Sequence, residues 1–322
     1  MPKTFTDRIR HALNGPTMGT RWSALLHAEP GFDPAPMQAA MQIAVDEVDA
    51  QMSPWKADSA LMRLNAAPAE EWVPLPARLM QVLERGLAVG RASGGAFDIG
   101  MGDAVSAWGF SAAPADTARI RAALSAPRRP AHEVLELDPQ GLHARKHGPL
   151  ALDLCGIAKG YGVDRLAEAA RAFGRDDALV GIDGELHALG TQPDGRPWTV
   201  AIERPDHDTR APQSILALQD AAVATSGDYR HWVELGTRRL SHTMDPKRGA
   251  PLDRPPASVT VVAQSCMDAD AWATAFMVLG ETEGAALARN LGLNTLFLTR
   301  AGNGLRTTPV GPLFHPGKDP AT

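Results

Sequence analysis

The stretch DALVGIDGELHALG, residues 177–190, reads as two short apolar strands, DALVGI and GELHALG, meeting at a turn. Strands that follow one another this closely can pair only antiparallel, because a parallel neighbour needs a crossover of a dozen or more residues. The pattern recurs along the chain. Strands are expected at TRWSALLHA (20–28), HEVLEL (132–137), GLHAR (141–145), PLALDL (149–154) and WTVAIE (198–203). Later ones are expected at QSILALQ (213–219), AAVATSG (221–227), SVTVVA (258–263) and NTLFLT (294–299). Helices are interspersed: PMQAAMQIAVDEVDAQM (36–52), a short one capped by Ser59 and ending near Asn65, PARLMQVLERGLAVGRAS (76–93), ADTARIRAALS (115–125) and GIAKGYGVDRLAEAARAFG (156–174). Strands in antiparallel pairs with helices between them, rather than strict strand–helix alternation, predict an α+β fold of mixed, largely antiparallel sheets with packed helices. The proline-rich stretches 193–213 and 250–256 read as surface loops.

Composition excludes several classes. The 322 residues are 44% hydrophobic, enough for one large domain or two smaller lobes, and no apolar run reaches the roughly 18 residues of a membrane span. A formal net charge of −5 gives no nucleic-acid footprint. Two cysteines, Cys155 and Cys266, make no disulfide framework, and both are expected as buried thiols. The first twenty residues carry positive charges but no apolar signal core and no lipid-attachment cysteine. As written, this predicts a cytoplasmic protein, or a periplasmic one if a leader has been removed.

Several segments are too polar or too rich in glycine for a plain core. CMDADAWATAFMVLG (266–280) looks like a buried helix closing at a glycine, yet it opens with Asp268 and Asp270 and carries Thr274 one turn later. Carboxylates in a first helical turn serve capping and the helix dipole. Asp270 and Thr274, on one face, also suit a hard cation such as Mg²⁺. ALDLCGIAKGYGVD (151–164) runs from a strand through a glycine turn into a helix carrying Lys159. It resembles an anion cradle, without the spacing of a P-loop or a dinucleotide fold.

In order, TMGT (17–20), MSPWKADSALMRLN (52–65), GGAFDIG (94–100) with WGF (108–110), DLCGIAKGYGVD (153–164), ATSGDYR (224–230), SHTMDPKRGAP (241–251) and DADAWATAF (268–276) resemble the successive signatures of the FAD:protein FMN transferases, the ApbE family. The resemblance covers about residues 17–304. It implies an N-terminal extension over 1–16, a single two-lobed, T-fold-related domain over 17–304 and a C-terminal tail over 305–322. It also implies the function: Mg²⁺-dependent transfer of the FMN moiety of FAD to a Ser or Thr hydroxyl of a partner flavoprotein, releasing AMP. Two alternatives stay open, a Mg²⁺-dependent FAD pyrophosphatase and a non-catalytic flavin carrier.

By the same resemblance, FAD is bound by Met18, Trp55, Ala96, Phe97, Asp98, Asp153, Lys159 and Met244. Mg²⁺ is held by Asp270, Thr274 and the main-chain carbonyl of Gly156, leaving capping to Asp268. His242 is the expected general base, with Asp245 anchoring the turn before Pro246. The chain departs from the family pattern at Gly102-Asp103, where a proline-leucine pair is common, and at Cys155, where Ser or Gly is common.

Overall fold

A computed structural model describes residues 8–206, 210–229, 232–235, 238–302 and 304–315. The chain opens on a hairpin, β1 (Ile9–Thr17) and β2 (Thr20–Ala28), turning at Met18 and Gly19, both with positive φ. Alternation on β2 buries Trp22, Ala24, Leu26 and Ala28 on one face. That face receives α1 (Ala35–Met52), whose Met37, Met41, Val45, Val48 and Met52 recur at helical spacing.

Next, α2 (Ala60–Ala66) is capped as expected, the Ser59 hydroxyl accepting from Met62 N at 3.1 Å. Then come β3 (Trp72–Pro74), α3 (Ala77–Ala92), α4 (Gly102–Ala107), α5 (Thr117–Ser125), α6 (Ala131–Val134), β4 (Leu135–Asp138) and β5 (His143–Lys146). The three strands form a small sheet in the order β3-β5-β4. HEVLEL therefore starts as a helical turn and becomes a strand only at Leu135. PLALDL is not a strand. Asn65 occupies the position a neighbouring strand would take: its side chain accepts from Leu152 N at 2.7 Å and donates to Leu152 O at 2.9 Å.

Helix α7 (Ala158–Ala172) leads into the hairpin of β6 (Ala178–Ile182) and β7 (Glu185–Leu189), with Asp183 and Gly184 at positive φ in the turn. A separate ribbon, β8 (Trp198–Glu203) and β9 (Pro212–Leu218), precedes β10 (Ala221–Gly227). Two further short pairs follow, β11 (Trp232–Leu235) with β12 (Arg238–Ser241) and β13 (Met244–Asp245) with β14 (Ala250–Pro251). The chain continues through β15 (Ser258–Ala263), α8 (Cys266–Leu291), β16 (Asn294–Ala301) and β17 (Gly304–Val310).

Eight strands make the main sheet, in the order β1-β2-β6-β7-β10-β15-β16-β17, with every pairing antiparallel. Helices α1, α7 and α8 cover one face. On the other, Trp198, Val200, Leu216 and Leu218 of the β8–β9 ribbon pack against Ala188, Val223, Val262 and Leu298. Helices on one face of an antiparallel sheet are the α+β architecture expected.

The sheet runs across both expected boundaries. The break at 16/17 falls inside β1, and the tail from 305 begins inside β17. Pro16, which has no N–H to give, is tolerated because β1 is an edge strand. Gly15 is required because a Cβ there would meet Trp22 Nε1 at 2.5 Å. Among the described residues no helix is long and apolar enough to cross a membrane.

Candidate active site

Two glycines, one in the turn before α7 and one in its first turn, let this segment press against α8. A Cβ on Gly156 would lie 3.0 Å from Thr274 Oγ1 and 3.3 Å from the Phe97 ring. One turn on, a Cβ on Gly160 would lie 2.8 Å from Asp270 Cβ, and the Gly160 N–H donates to Asp270 Oδ2 at 3.0 Å. The backbone reaches Gly156 through an Asx turn: Asp153 N donates to Ile99 O at 2.8 Å, and its carboxylate accepts from Cys155 N at 2.8 Å. Gly156, Asp270 and Thr274, expected as cation ligands, thus gather at one helix crossing. The sequence reading missed Ser226 on β10, whose hydroxyl stands 3.3 Å from that of Thr274.

Lys159 lies in the first turn of α7 and pairs with Glu185, also missed, at 2.8 Å. Burial pushes the Asp270 carboxyl up, to about 7, and Glu185 adds to this, while Lys159 and the Gly160 N–H oppose it. Burial disfavours the Lys159 ammonium, but Glu185 and Asp270 outweigh it and raise its pKa. A bound cation would relieve the burial that raises the Asp270 carboxyl.

Among the described residues no three His, Cys, Asp or Glu side chains gather as a self-sufficient metal site. A hard cation here would rely on hydroxyl, carbonyl and phosphate oxygens beside one carboxylate. That donor set fits Mg²⁺.

Met18, at the β1–β2 turn, reaches α7: its Cε lies 3.0 Å from where a Cβ on Gly162 would stand. Phe97 and Ala96 are buried, with Phe97 N bonded to Ser93 Oγ at 3.0 Å. Asp98 Oδ1 accepts from Gly100 N at 2.8 Å and Ala131 N at 3.0 Å, and burial raises its pKa. Burial likewise raises that of Asp153. Trp55 is 59% exposed, a large ring facing outward.

Met244 packs in a separate cluster with Met101, Ala104, Trp108 and Ala250. His242 stands edge-on to Phe110, ring centroids 6.3 Å apart. Trp108 Nε1 ties this loop down by donating to Gly249 O at 3.0 Å. Gly102 fits a tight spot, since a Cβ there would meet Leu152 O at 2.8 Å, and Asp103 pairs with Arg128 at 2.8 Å. Both residues of this departure from the family pattern therefore have structural work.

Three readings are corrected or refined. Ser265, not Asp268, caps α8, accepting from Asp268 N at 3.1 Å, while Asp268 pairs with Arg85. Cys155 is exposed; Cys266 is buried as expected. Asp245 anchors its turn, accepting from Lys247 N at 2.9 Å.

The ApbE family model matches residues 18–297, and the chain belongs to that family. It is 36% identical over 297 residues to a FAD:protein FMN transferase of Vibrio cholerae, covering 91% of this chain and 89% of that protein. It is 33% identical over 319 residues to one of Escherichia coli K12, covering 95% and 88%. Among solved structures, the flavin transferase ApbE from Vibrio cholerae superposes with a TM-score of 0.83 at 33% identity, over 94% of this chain and 97% of that one. The apo flavinyl transferase ApbE of Pseudomonas stutzeri gives 0.83 at 34%, over 95% and 96%.

Proposed function

We propose that the protein is a FAD:protein FMN transferase, moving FMN from FAD to a Ser or Thr hydroxyl of an acceptor flavoprotein. The observation that supports the reading is the close approach of Gly156 to Thr274 and of Gly160 to Asp270, which brings a carboxylate and a hydroxyl together beside the Gly156 backbone. Mg²⁺ is the ion this set suits, and Asp270, Thr274 and the Gly156 carbonyl would hold it. When bound, it supplies charge stabilisation at the pyrophosphate and the leaving AMP.

The other steps belong to side chains. Met18, Trp55, Ala96, Phe97, Asp98, Asp153 and Met244 hold the flavin side of FAD, and Lys159 meets its phosphates. His242 takes the proton of the acceptor hydroxyl as its oxygen attacks the FMN phosphorus. A phosphoester forms, the bond to the AMP phosphate breaks, and AMP leaves.

Transfer rate against Mg²⁺ concentration tests the site. Asp270→Asn removes the one charged ligand and Thr274→Val the hydroxyl, both with little change of shape. Both variants should need far more Mg²⁺ or be inactive at any level. Curves that superimpose on the unmodified enzyme would move the metal elsewhere. AMP and free FMN formed equally well without an acceptor peptide would assign hydrolysis instead of transfer.

A further inference from the structure

Glu185 is the first residue of β7, fixed by the hairpin register that sets it opposite Ile182. It is only 4% exposed, and its two oxygens are used unequally. Oε1 accepts from Lys159 Nζ at 2.8 Å, while Oε2 is buried with no partner. The Lys159 side chain is 33% exposed along its length, and its ammonium is anchored by a buried carboxylate.

A lysine arm has four flexible carbons, and its ammonium goes to whichever carboxylate is nearest. At the start of α7 three carboxylates act on it: Glu185, Asp270 and Asp183. If it turned to Asp270, it would compete there with a cation. The pair with Glu185 keeps it off. We propose that Glu185 is a positioning residue, acting through Lys159 to hold its ammonium where the FAD pyrophosphate binds and to leave Asp270 free for the metal. The inference rests on the reading of Lys159 as a phosphate contact. A purely structural Glu185, there only to neutralise a buried lysine, would matter for stability but not for telling FAD from riboflavin.

Equilibrium binding of FAD and of riboflavin, followed by flavin fluorescence without turnover, separates these roles. Lys159→Met should weaken FAD by about tenfold, the scale of one charge-assisted hydrogen bond, and leave riboflavin unchanged. Glu185→Gln should do the same. The double variant should be no worse than Lys159→Met alone, because one residue acts through the other. Glu185→Asp keeps the charge, shortens the reach by one methylene and should lose part of the discrimination; it carries the test if the Gln variant does not fold. Should Lys159→Met lose discrimination while both Glu185 variants keep it, the positioning role fails and the phosphate reading survives. Should Lys159→Met itself keep it, the phosphate reading fails and takes the inference with it. Additive losses in the double variant, or equal loss of FAD and riboflavin, also overturn the route through Lys159.

Discussion

His242 sits on the short link between β12 and β13, with the backbone pinned on its far side: Thr243 N donates to Ser241 Oγ at 3.2 Å, and Thr243 O accepts from Leu252 N at 3.0 Å. As the proposed base, a residue held this way would remove a proton without anchoring the flavin. His242→Ala should therefore bind FAD as before and turn over roughly 10²–10⁴-fold more slowly, the usual worth of a positioned base. Binding titrations beside single-turnover transfer check this, and an undiminished rate would place the base elsewhere. The residues of this site differ in how far sequence reveals them. Gly156, Lys159, Asp270 and Thr274 stand inside short motifs that resemble those of the ApbE family, and it is the resemblance that singles them out. Glu185 lies in none of those motifs, and Ser226, although inside ATSGDYR, meets its partner far along the chain, as Glu185 does: Lys159 at 26 residues' distance and Thr274 at 48. A lone Glu or Ser at a strand end carries no local signal of such a partner.

Helix α8 contains a break that its sequence announces. Gly280 has φ 73 and ψ 178, a conformation essentially reserved to glycine, and nothing lies within 4 Å of a Cβ added there. Gly280→Ala meets backbone strain alone and should cost about 1–3 kcal/mol, measurable by urea unfolding. The next residue exploits the break. Glu281 accepts from Thr299 at 2.9 Å, Thr308 at 2.6 Å and Arg306 at 2.6 Å, tying the second half of α8 to β16 and β17. Arg306 is the main cause holding its carboxyl down, at about 2, with the two threonines assisting.

An unfolded Glu titrates near 4.3, so this anchoring is complete above about pH 4.3 and lost as pH falls towards 2. Glu281→Gln should be less stable than the parent at pH 7, with the gap closing between about pH 4.3 and pH 2. A gap independent of pH would mean that the charge is immaterial. Helices with an apolar period or a capping serine, such as α1 and α2, were legible in this way. The loop 149–154 was not, because its alternating apolar residues imitate a strand while a side chain, Asn65, takes the bonds. Nor was β1, whose glycine and proline imitate a loop.

At the scale of the whole molecule, the antiparallel order was legible from hairpins such as β6–β7, while strand order was not. Placing β10 between β7 and β15 is settled by packing: the β8–β9 ribbon lies over one face and α8 over the other. The order puts the first strand of the chain on one sheet edge and the last on the other. In each outer hairpin the free end lies away from the turn, Ile9 opposite Ala28 and Val310 opposite Thr295. Tension applied at the ends therefore loads the outermost ladder bonds one at a time, as in a zipper, rather than all together in shear. Pulled in an optical trap by handles at residues 9 and 310, the protein should peel β1 and β17 at low force before the centre gives way, whereas a single rip at high force would contradict this geometry. A motor that unfolds proteins by threading them through a pore would meet little mechanical resistance from either outer strand, β1 or β17.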